Sequence, residues 1–236
     1  MPSTLVHVAF GGLIAAPLLA SDFDRRAALV VFAATAVPDL DAFVGLFFTA
    51  GHRTVGHTLV FPALLAVLLL ADTQYRSDSA IRSRWGDRGV RIAWVSLLSL
   101  TVAGIGLDLF TGGANPLWPI HDQFYRITGK IEISNTRGIV QTFVDVNPRT
   151  GTVHAKSFGT SKQVHVSTGV NPTKGKETGP LVDVGGGGGG GGESEPKIIE
   201  RVFPVVRSGW QLLLLLTGSA VTAVHVRRVE REKASE

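Results

Sequence analysis

Residues 92–110 read IAWVSLLSLTVAGIGLDLF, a run whose polar side chains are Ser, Thr and a single acid, Asp108. A helix needs about 20 predominantly apolar residues to cross the hydrocarbon core of a bilayer. The run is therefore predicted to be a membrane-spanning helix, with a carboxylate close to one of its ends.

Other segments of the chain have the same apolar character. They are Leu5–Ala20; Ala27–Val37, which resumes after Pro38 as Ala42–Ala50; Val55–Ala71; and Ser208–Val226. Only 18% of the 236 residues are charged, against about 25% in a typical soluble domain. The first segment carries no Lys or Arg and ends in a poor cleavage site, so we expect it to be retained. The sequence predicts an all-α integral membrane bundle of about five helices.

Basic residues cluster at three places: Arg25 with Arg26, the loop Asp72–Arg91, and the tail from Arg227. With five spans, all three fall on one side of the membrane, and short basic loops are typically cytoplasmic. The net charge of +4 therefore indicates membrane orientation and no nucleic-acid partner. We expect a multi-pass protein of the plasma membrane, in contact with the lipid bilayer, with its N-terminus outside and its C-terminus in the cytoplasm.

The region between the last two apolar segments has a different composition. Ile139–Val146 and Thr152–Ser157 are strand-like and flank a predicted turn, Lys162–Val170 is a third candidate strand, and Gly185–Gly192 is a flexible tether. The predicted division is a membrane-embedded helical domain with a His/Asp cluster (1–119), a small β-rich extramembrane insert (120–184), a Gly-rich linker (185–205), and a final transmembrane helix with a basic tail (206–236).

The predicted topology gathers His and Asp residues at the outer face. They are His7, Asp39, Asp41, His52, His57, Asp108 and, shortly after it, His121. Ionisable residues are costly inside membranes and usually functional, and convergent carboxylates repel one another unless a cation lies among them. Imidazole and carboxylate suit divalent metals such as zinc or manganese, whereas the absence of Cys excludes thiolate sites. The cluster is therefore predicted to be a metal site.

Several residues of this group also have an ordinary explanation when they are taken alone. Asp39 and Asp41 beside Pro38 fit a turn, and Asp108 fits a solvated helix end. His7 fits an interfacial position. It is the joint placement of the group that favours a site.

Several short motifs carry this group in a fixed order: LVHVAFG at 5–11, PDLD at 38–41, GHRTVGHT at 51–58, LDLFT at 107–111 and NPLWP at 115–119. Together they resemble the YdjM-like family of membrane-bound metal-dependent hydrolases over residues 1–121. The resemblance implies a helical membrane protein with a His/Asp metal site and hydrolase activity. More distantly, the core resembles the all-helical zinc-dependent phospholipase C and nuclease group.

One position departs from the family pattern. Family members usually carry a His four residues before the Asp of the fourth helix, and here that position is Gly104. Three explanations are open: His121 substitutes, one metal of a multi-metal site is lost, or this member has no catalysis.

The leading hypothesis is a membrane-bound hydrolase that uses a divalent metal on a phosphoester or another small-molecule or lipid-like substrate. Asp39 and Asp41 are candidate proton acceptors, and Arg53 is a candidate clamp for a phosphate group. The alternative is a non-enzymatic membrane protein that uses the cluster for cation or proton passage or for a structural metal. Gly104 favours the alternative, and the Asp-x-Asp and His-x4-His spacings favour the hydrolase.

Overall fold

The computed structural model describes residues 3–44, 52–143, 145–147, 152–154, 157–165, 182–183 and 205–235. Within these ranges the chain is mostly helical. The helices are α1 (Thr4–Leu19), α2 (Arg25–Ala36), α3 (Asp41–Val44), α4 (Val60–Leu70), α5 (Ala80–Ser99), α6 (Leu107–Thr111) and α7 (Gly209–Ala234). A π-helical segment, Leu100–Gly106, joins α5 directly to α6.

Three of the described helical segments are long and apolar enough to cross a membrane: Thr4–Asp22, Ala80–Thr111 and Gly209–Ala234. A fourth span is formed if α2 and the segment Pro38–Val44, bent by 45° at Pro38, cross together. The helical membrane class is thus confirmed, with three or four candidate spans in place of the five expected. The third predicted segment begins later than expected, because residues 55–59 form turns and α4 begins only at Val60. A π-helical turn, Ala71–Tyr75, continues it, and the whole helix, Val60–Tyr75, is shorter than the candidate spans.

Helix α1 lies at the centre of the bundle, packed against α2, α5 and α7. Its contacts depend on small side chains, which let membrane helices approach closely. A Cβ added to Gly218 of α7 would collide with the carbonyl of Ala9, and one added to Gly12 would collide with Thr222. The core is completed by Ala15, Ala16, Leu19, Phe23, Ala27, Ala28, Val31 and Val95.

The three basic segments meet at one end of the bundle, around two acids that follow α1. Asp24 contacts Arg88 at 2.6 Å and Lys233 at 2.9 Å, and Asp22 contacts Arg91 at 3.4 Å. We call this end of the bundle the basic end. His7 is fifteen positions before Asp22 in the sequence, about 22 Å along a helix, so the His/Asp cluster lies towards the opposite end.

Replacing Asp24 tests this ionic contact. Asp24 caps α2 by accepting a hydrogen bond from the Ala27 amide at 3.0 Å. Asp24→Asn should lower the free energy of unfolding by about 0.5–1 kcal/mol, and Asp24→Ala by about 1 kcal/mol more, because it also removes the cap. Thermal unfolding in detergent would measure both changes.

The pH dependence of that difference has a definite sign. Burial raises the pKa of Asp24, but hydrogen bonds from Lys233 and Ala27 and the charge of Arg88 outweigh it, lowering the pKa from 3.8 to about 2. A lowered carboxyl pKa stabilises the fold above the unfolded value and loses this contribution as the pH falls through the folded value. The difference between wild type and Asp24→Asn should therefore shrink between about pH 4 and pH 2. A constant difference over that window would contradict the assignment.

The chain between α6 and α7 contains short strand pairs. β1 (Ile131–Ser134) pairs antiparallel with β2 (Gly138–Gln141), and β3 (Asp145–Asn147) pairs antiparallel with β4 (Thr152–His154). β5 (Val164–His165) pairs in parallel with β6 (Val182–Asp183). β3 and β4 flank the predicted turn at 147–151, of which residues 148–151 lie outside the described residues, and β1 was not predicted. The polyglycine tether lies outside the described residues.

Candidate metal centre

A break after α2 brings two of the acids into the site. Pro38 cannot continue the hydrogen-bond ladder of a helix, so the chain turns through Pro38–Leu40 before α3 begins at Asp41. Opposite this turn lies the π-helical segment Leu100–Gly106, a widened geometry that is frequent at functional sites. The two elements touch, since a Cβ on Gly104 would lie 3.0 Å from Pro38 Cγ.

The carboxylate of Asp41 organises the loop that carries the histidines. It accepts hydrogen bonds from Nδ1 of His52 at 2.7 Å and Nδ1 of His57 at 2.9 Å. It also accepts hydrogen bonds from the backbone amides of Arg53 and Gly56, at 2.9 and 3.1 Å. Both of its oxygens are thus engaged, and Asp41 orients the loop and the His57 ring.

The hydrogen bonds of His7 and His57 determine which ring nitrogen carries the proton in the neutral ring. Nδ1 of His7 faces the carbonyl of Ala103 at 2.5 Å, and Nδ1 of His57 faces Asp41. Both partners only accept, so Nδ1 is the donor in each ring, a tautomer inferred from the hydrogen-bond network. Both Nε2 atoms are buried without a hydrogen-bond partner. Metal-binding histidines typically donate the N–H of one ring nitrogen to a carboxylate or carbonyl in this way, while the other ring nitrogen binds the metal.

The two Nε2 atoms face carboxylates. His57 Nε2 lies 2.9 Å from Asp108 Oδ2 and 3.7 Å from Asp39 Oδ1, and His7 Nε2 lies 3.8 Å from Asp108 Oδ1. The 2.9 Å approach does not have the geometry of a hydrogen bond, and Asp39 Oδ2 is buried without a partner. A nitrogen lone pair this close to a carboxylate requires a cation, either a proton on the ring or a metal ion.

The ligand atoms lie within metal-binding range. Those of His7, Asp39 and Asp108 are all within 4.8 Å of one another. The charge balance also favours a cation. With neutral histidines, the group holds three carboxylates, those of Asp39, Asp41 and Asp108, and one guanidinium, that of Arg53, which contacts Asp108, so an excess of about two negative charges remains. One divalent cation would balance them, and the residues present fit such an ion.

Arg53 is fully buried beneath this group. Its Nη2 contacts Asp108 Oδ1 at 2.8 Å, and its Nη1 donates to the carbonyl of Gly113 at 2.9 Å. Two of its three nitrogens are therefore engaged, and the side chain holds Asp108 in place.

Two of the predicted ligands occupy other positions. His52 lies behind Asp41, where its Nδ1 is engaged. The group of three that could hold an ion is His7, Asp39 and Asp108, and it contains neither His52 nor His57, although His57 Nε2 lies next to it, 2.9 Å from Asp108 Oδ2. His121 is exposed and contacts the hydroxyl of Tyr125 at 2.8 Å. The other five predicted ligands are linked through the contacts around His57 and Asp108.

The structure also gives a physical reason for glycine at position 104. A Cβ there would lie 3.0 Å from both Pro38 Cγ and the carbonyl oxygen of Thr35. Any side chain would therefore push the π-helical segment away from the turn that carries Asp39. A His at this position would need a shift of the backbone before it could act as a ligand.

A second hydrogen-bonded group, which the sequence analysis did not single out, covers the buried arginine. Asn115 is fully buried, donates its backbone amide to the carbonyl of Arg53 at 2.9 Å, and donates its side-chain amide to Asp122 at 2.7 Å. Asp122 in turn accepts two hydrogen bonds from Ser161. Burial raises the pKa of Asp122, but these hydrogen bonds outweigh it and lower the pKa below its ordinary value. The Asn-Pro pair within the NPLWP motif was the one available signal.

Comparison with known proteins shows the family of this chain. No curated protein and no solved structure matches the chain. The profile of the YdjM inner membrane protein family matches residues 1–162, a range that holds every residue of the cluster and also Asn115, Asp122 and Ser161. Since this range covers more than half of the 236 residues, the chain belongs to the YdjM inner membrane protein family.

Proposed function

We propose that this protein is a membrane-bound metal-dependent hydrolase that acts on a phosphoester or lipid-like substrate. The observation that carries the proposal is the pair of buried, unpartnered Nε2 atoms on His7 and His57, both of which face Asp108, with Asp39 beside them. Two imidazoles and two carboxylates form a donor set that suits zinc, and manganese accepts the same groups. A divalent ion there would supply Lewis acidity and lower the pKa of a nearby water.

The side chains have separate roles in this proposal. His7, His57, Asp39 and Asp108 hold the ion, while Asp41 orients the His57 ring through Nδ1. Asp39 is the most exposed carboxylate of the group, with 18% of its side chain accessible against 2–3% for the other two. It is therefore the acid best placed to meet a substrate and accept a proton from water.

Arg53 receives a positioning role. A phosphate clamp needs a free guanidinium edge, and the terminal nitrogens of Arg53 are engaged by Asp108 and Gly113. It neutralises part of the charge on Asp108 and fixes the direction of that carboxylate.

A non-enzymatic function is the second candidate. His57 and Asp108 are almost fully buried, and a proton on His57 Nε2, 2.9 Å from Asp108 Oδ2, would form an ion pair with that carboxylate without any metal. A structural metal or a step in proton passage would use the same contacts. The two candidate functions differ in that only the hydrolase turns over an ester substrate.

The test is a screen of phosphoesters and lipid esters with detergent-purified protein. The protein is stripped with chelator and then reloaded with zinc or manganese. Hydrolysis that is lost on stripping and restored by reloading is the expected result. Metal bound without turnover on any ester would instead support the structural role.

The orientation in the membrane is also a proposal, supported by the meeting of the three basic segments at one end. Because the chain has no Cys, a single introduced cysteine is its only thiol available for labelling. Ser77→Cys and Thr136→Cys alter exposed residues, the first in the basic loop and the second in the β1–β2 hairpin. In intact cells or spheroplasts, an impermeant thiol reagent should label position 136 and spare position 77. The reverse pattern would invert the proposed topology.

A further inference from the structure

We infer that the groove between α1, α2 and α7 is a binding site for an anionic phospholipid, separate from the metal centre. The groove has a cavity volume of about 660 Å³. Apolar side chains such as Leu5, Leu29, Phe32 and Leu215 line most of it. Its charged residues, Arg25, Arg227 and Glu230, gather at the basic end of the bundle.

The dimensions fit a lipid lying along the bundle. The lining residues of α7 run from Leu215 to Glu230, a rise of about 22 Å at 1.5 Å per residue. One leaflet of the hydrocarbon core is about 15 Å thick, half of the roughly 30 Å of the whole core. An acyl chain that starts at the basic end therefore has an apolar surface along its full length.

The charges at the mouth of the groove select the headgroup. Arg25 and Arg227 line the groove there, and both are exposed. Within the part of the chain that the structure describes, neither has an ion-pair partner, whereas the neighbouring Arg88, Arg91 and Lys233 are paired with Asp22 and Asp24. Glu230 is the one acid among the lining residues, so the mouth keeps a net positive charge.

Unpaired arginines beside an apolar wall recognise a phosphate joined to an acyl chain, since the guanidinium matches phosphate oxygens. Basic pockets between transmembrane helices on the cytoplasmic side bind anionic headgroups in this way. A zwitterionic lipid offers the same tails, but its ammonium group would face Arg25 and Arg227. The groove should therefore prefer phosphatidylglycerol to phosphatidylcholine.

The experiment is native mass spectrometry of the full-length protein, incubated in detergent with equal amounts of phosphatidylglycerol and phosphatidylcholine. Wild type should retain phosphatidylglycerol selectively. The double variant Arg25→Gln/Arg227→Gln should retain it at least roughly fivefold less, from the electrostatic contribution of each basic residue near a headgroup. The matched control Arg84→Gln/Arg231→Gln removes the same charge from exposed residues outside the groove and should retain the lipid like wild type.

A second variant tests the groove without changing its charge. Ala223 is exposed and lines the groove, so Ala223→Trp should fill it and reduce retention as well. Equal retention of both lipids by wild type would overturn the inference, as would an equal loss in the control pair. Undiminished retention in both groove variants would overturn it too.

Discussion

Asp39→Asn is expected to reduce metal affinity and metal-dependent turnover by at least about a hundredfold, because losing even an outer partner of a metal ligand costs about 10–100-fold. The fold should be little affected. The one ion-pair contact of the Asp39 side chain in the described structure is the 3.7 Å approach to His57, and its Oδ2 has no hydrogen-bond partner to lose. Asparagine keeps the shape and removes the charge. Zinc affinity and ester hydrolysis would be measured on the same preparation.

Two other variants make the result interpretable. Asp87→Asn removes an exposed carboxylate at the far end of the bundle, paired with Arg82, and should leave affinity and turnover unchanged. Asp41→Asn should lower turnover and stability together, because Asp41 accepts four hydrogen bonds that shape residues 52–57. Normal zinc affinity in Asp39→Asn would remove Asp39 from the ligand set.

Arg53→Met is expected to be the most destabilising single change. It leaves Asp108 buried without its guanidinium partner, and breaking a buried ion pair from one side costs about 3–5 kcal/mol. It also removes the donor to the Gly113 carbonyl. The measurement is thermal unfolding in detergent with chelator present, since a bound cation would partly replace the lost charge.

A double-mutant cycle separates the ion pair from the other contacts of Arg53. Adding Asp108→Asn to Arg53→Met removes the stranded charge, so the double variant should lose less stability than the two single variants added together. Strict additivity would mean that the 2.8 Å contact between Arg53 and Asp108 does not couple the two residues.

The class of the fold could be predicted from the sequence, because it depends on the lengths of apolar segments and on the positions of the arginines. Apolar run lengths correctly indicated a helical membrane protein, and the arginine clusters correctly indicated segments that meet at one end. The shortened α4 was missed, because hydropathy counts Val55 to Leu59 as part of a span. In the structure this backbone is held by other elements: Gly56 donates to Asp41, and Leu59 donates to the carbonyl of Pro116.

For the candidate site, the sequence indicated which residues converge but not which of their atoms contact one another. Asp39 and Asp41 are equivalent in a Pro-Asp-x-Asp motif, yet one faces His57 Nε2 and the other faces Nδ1. That difference depends on the turn at Pro38 and on the loop folding back over it. The partner of His7 is a backbone carbonyl, Ala103, which no side-chain pattern can reveal. Arg53 resembled a surface clamp because its burial depends on residues 112–115, sixty positions away in sequence.

We propose above that one divalent metal ion binds among His7, His57, Asp39 and Asp108. The most direct measurement is the metal content of the wild-type protein, purified in detergent without chelator, with Asp39→Asn prepared in parallel. The claim predicts one equivalent of zinc or manganese per wild-type chain and close to none in Asp39→Asn. A wild-type preparation that is metal-free and does not take up either ion when it is added would contradict it.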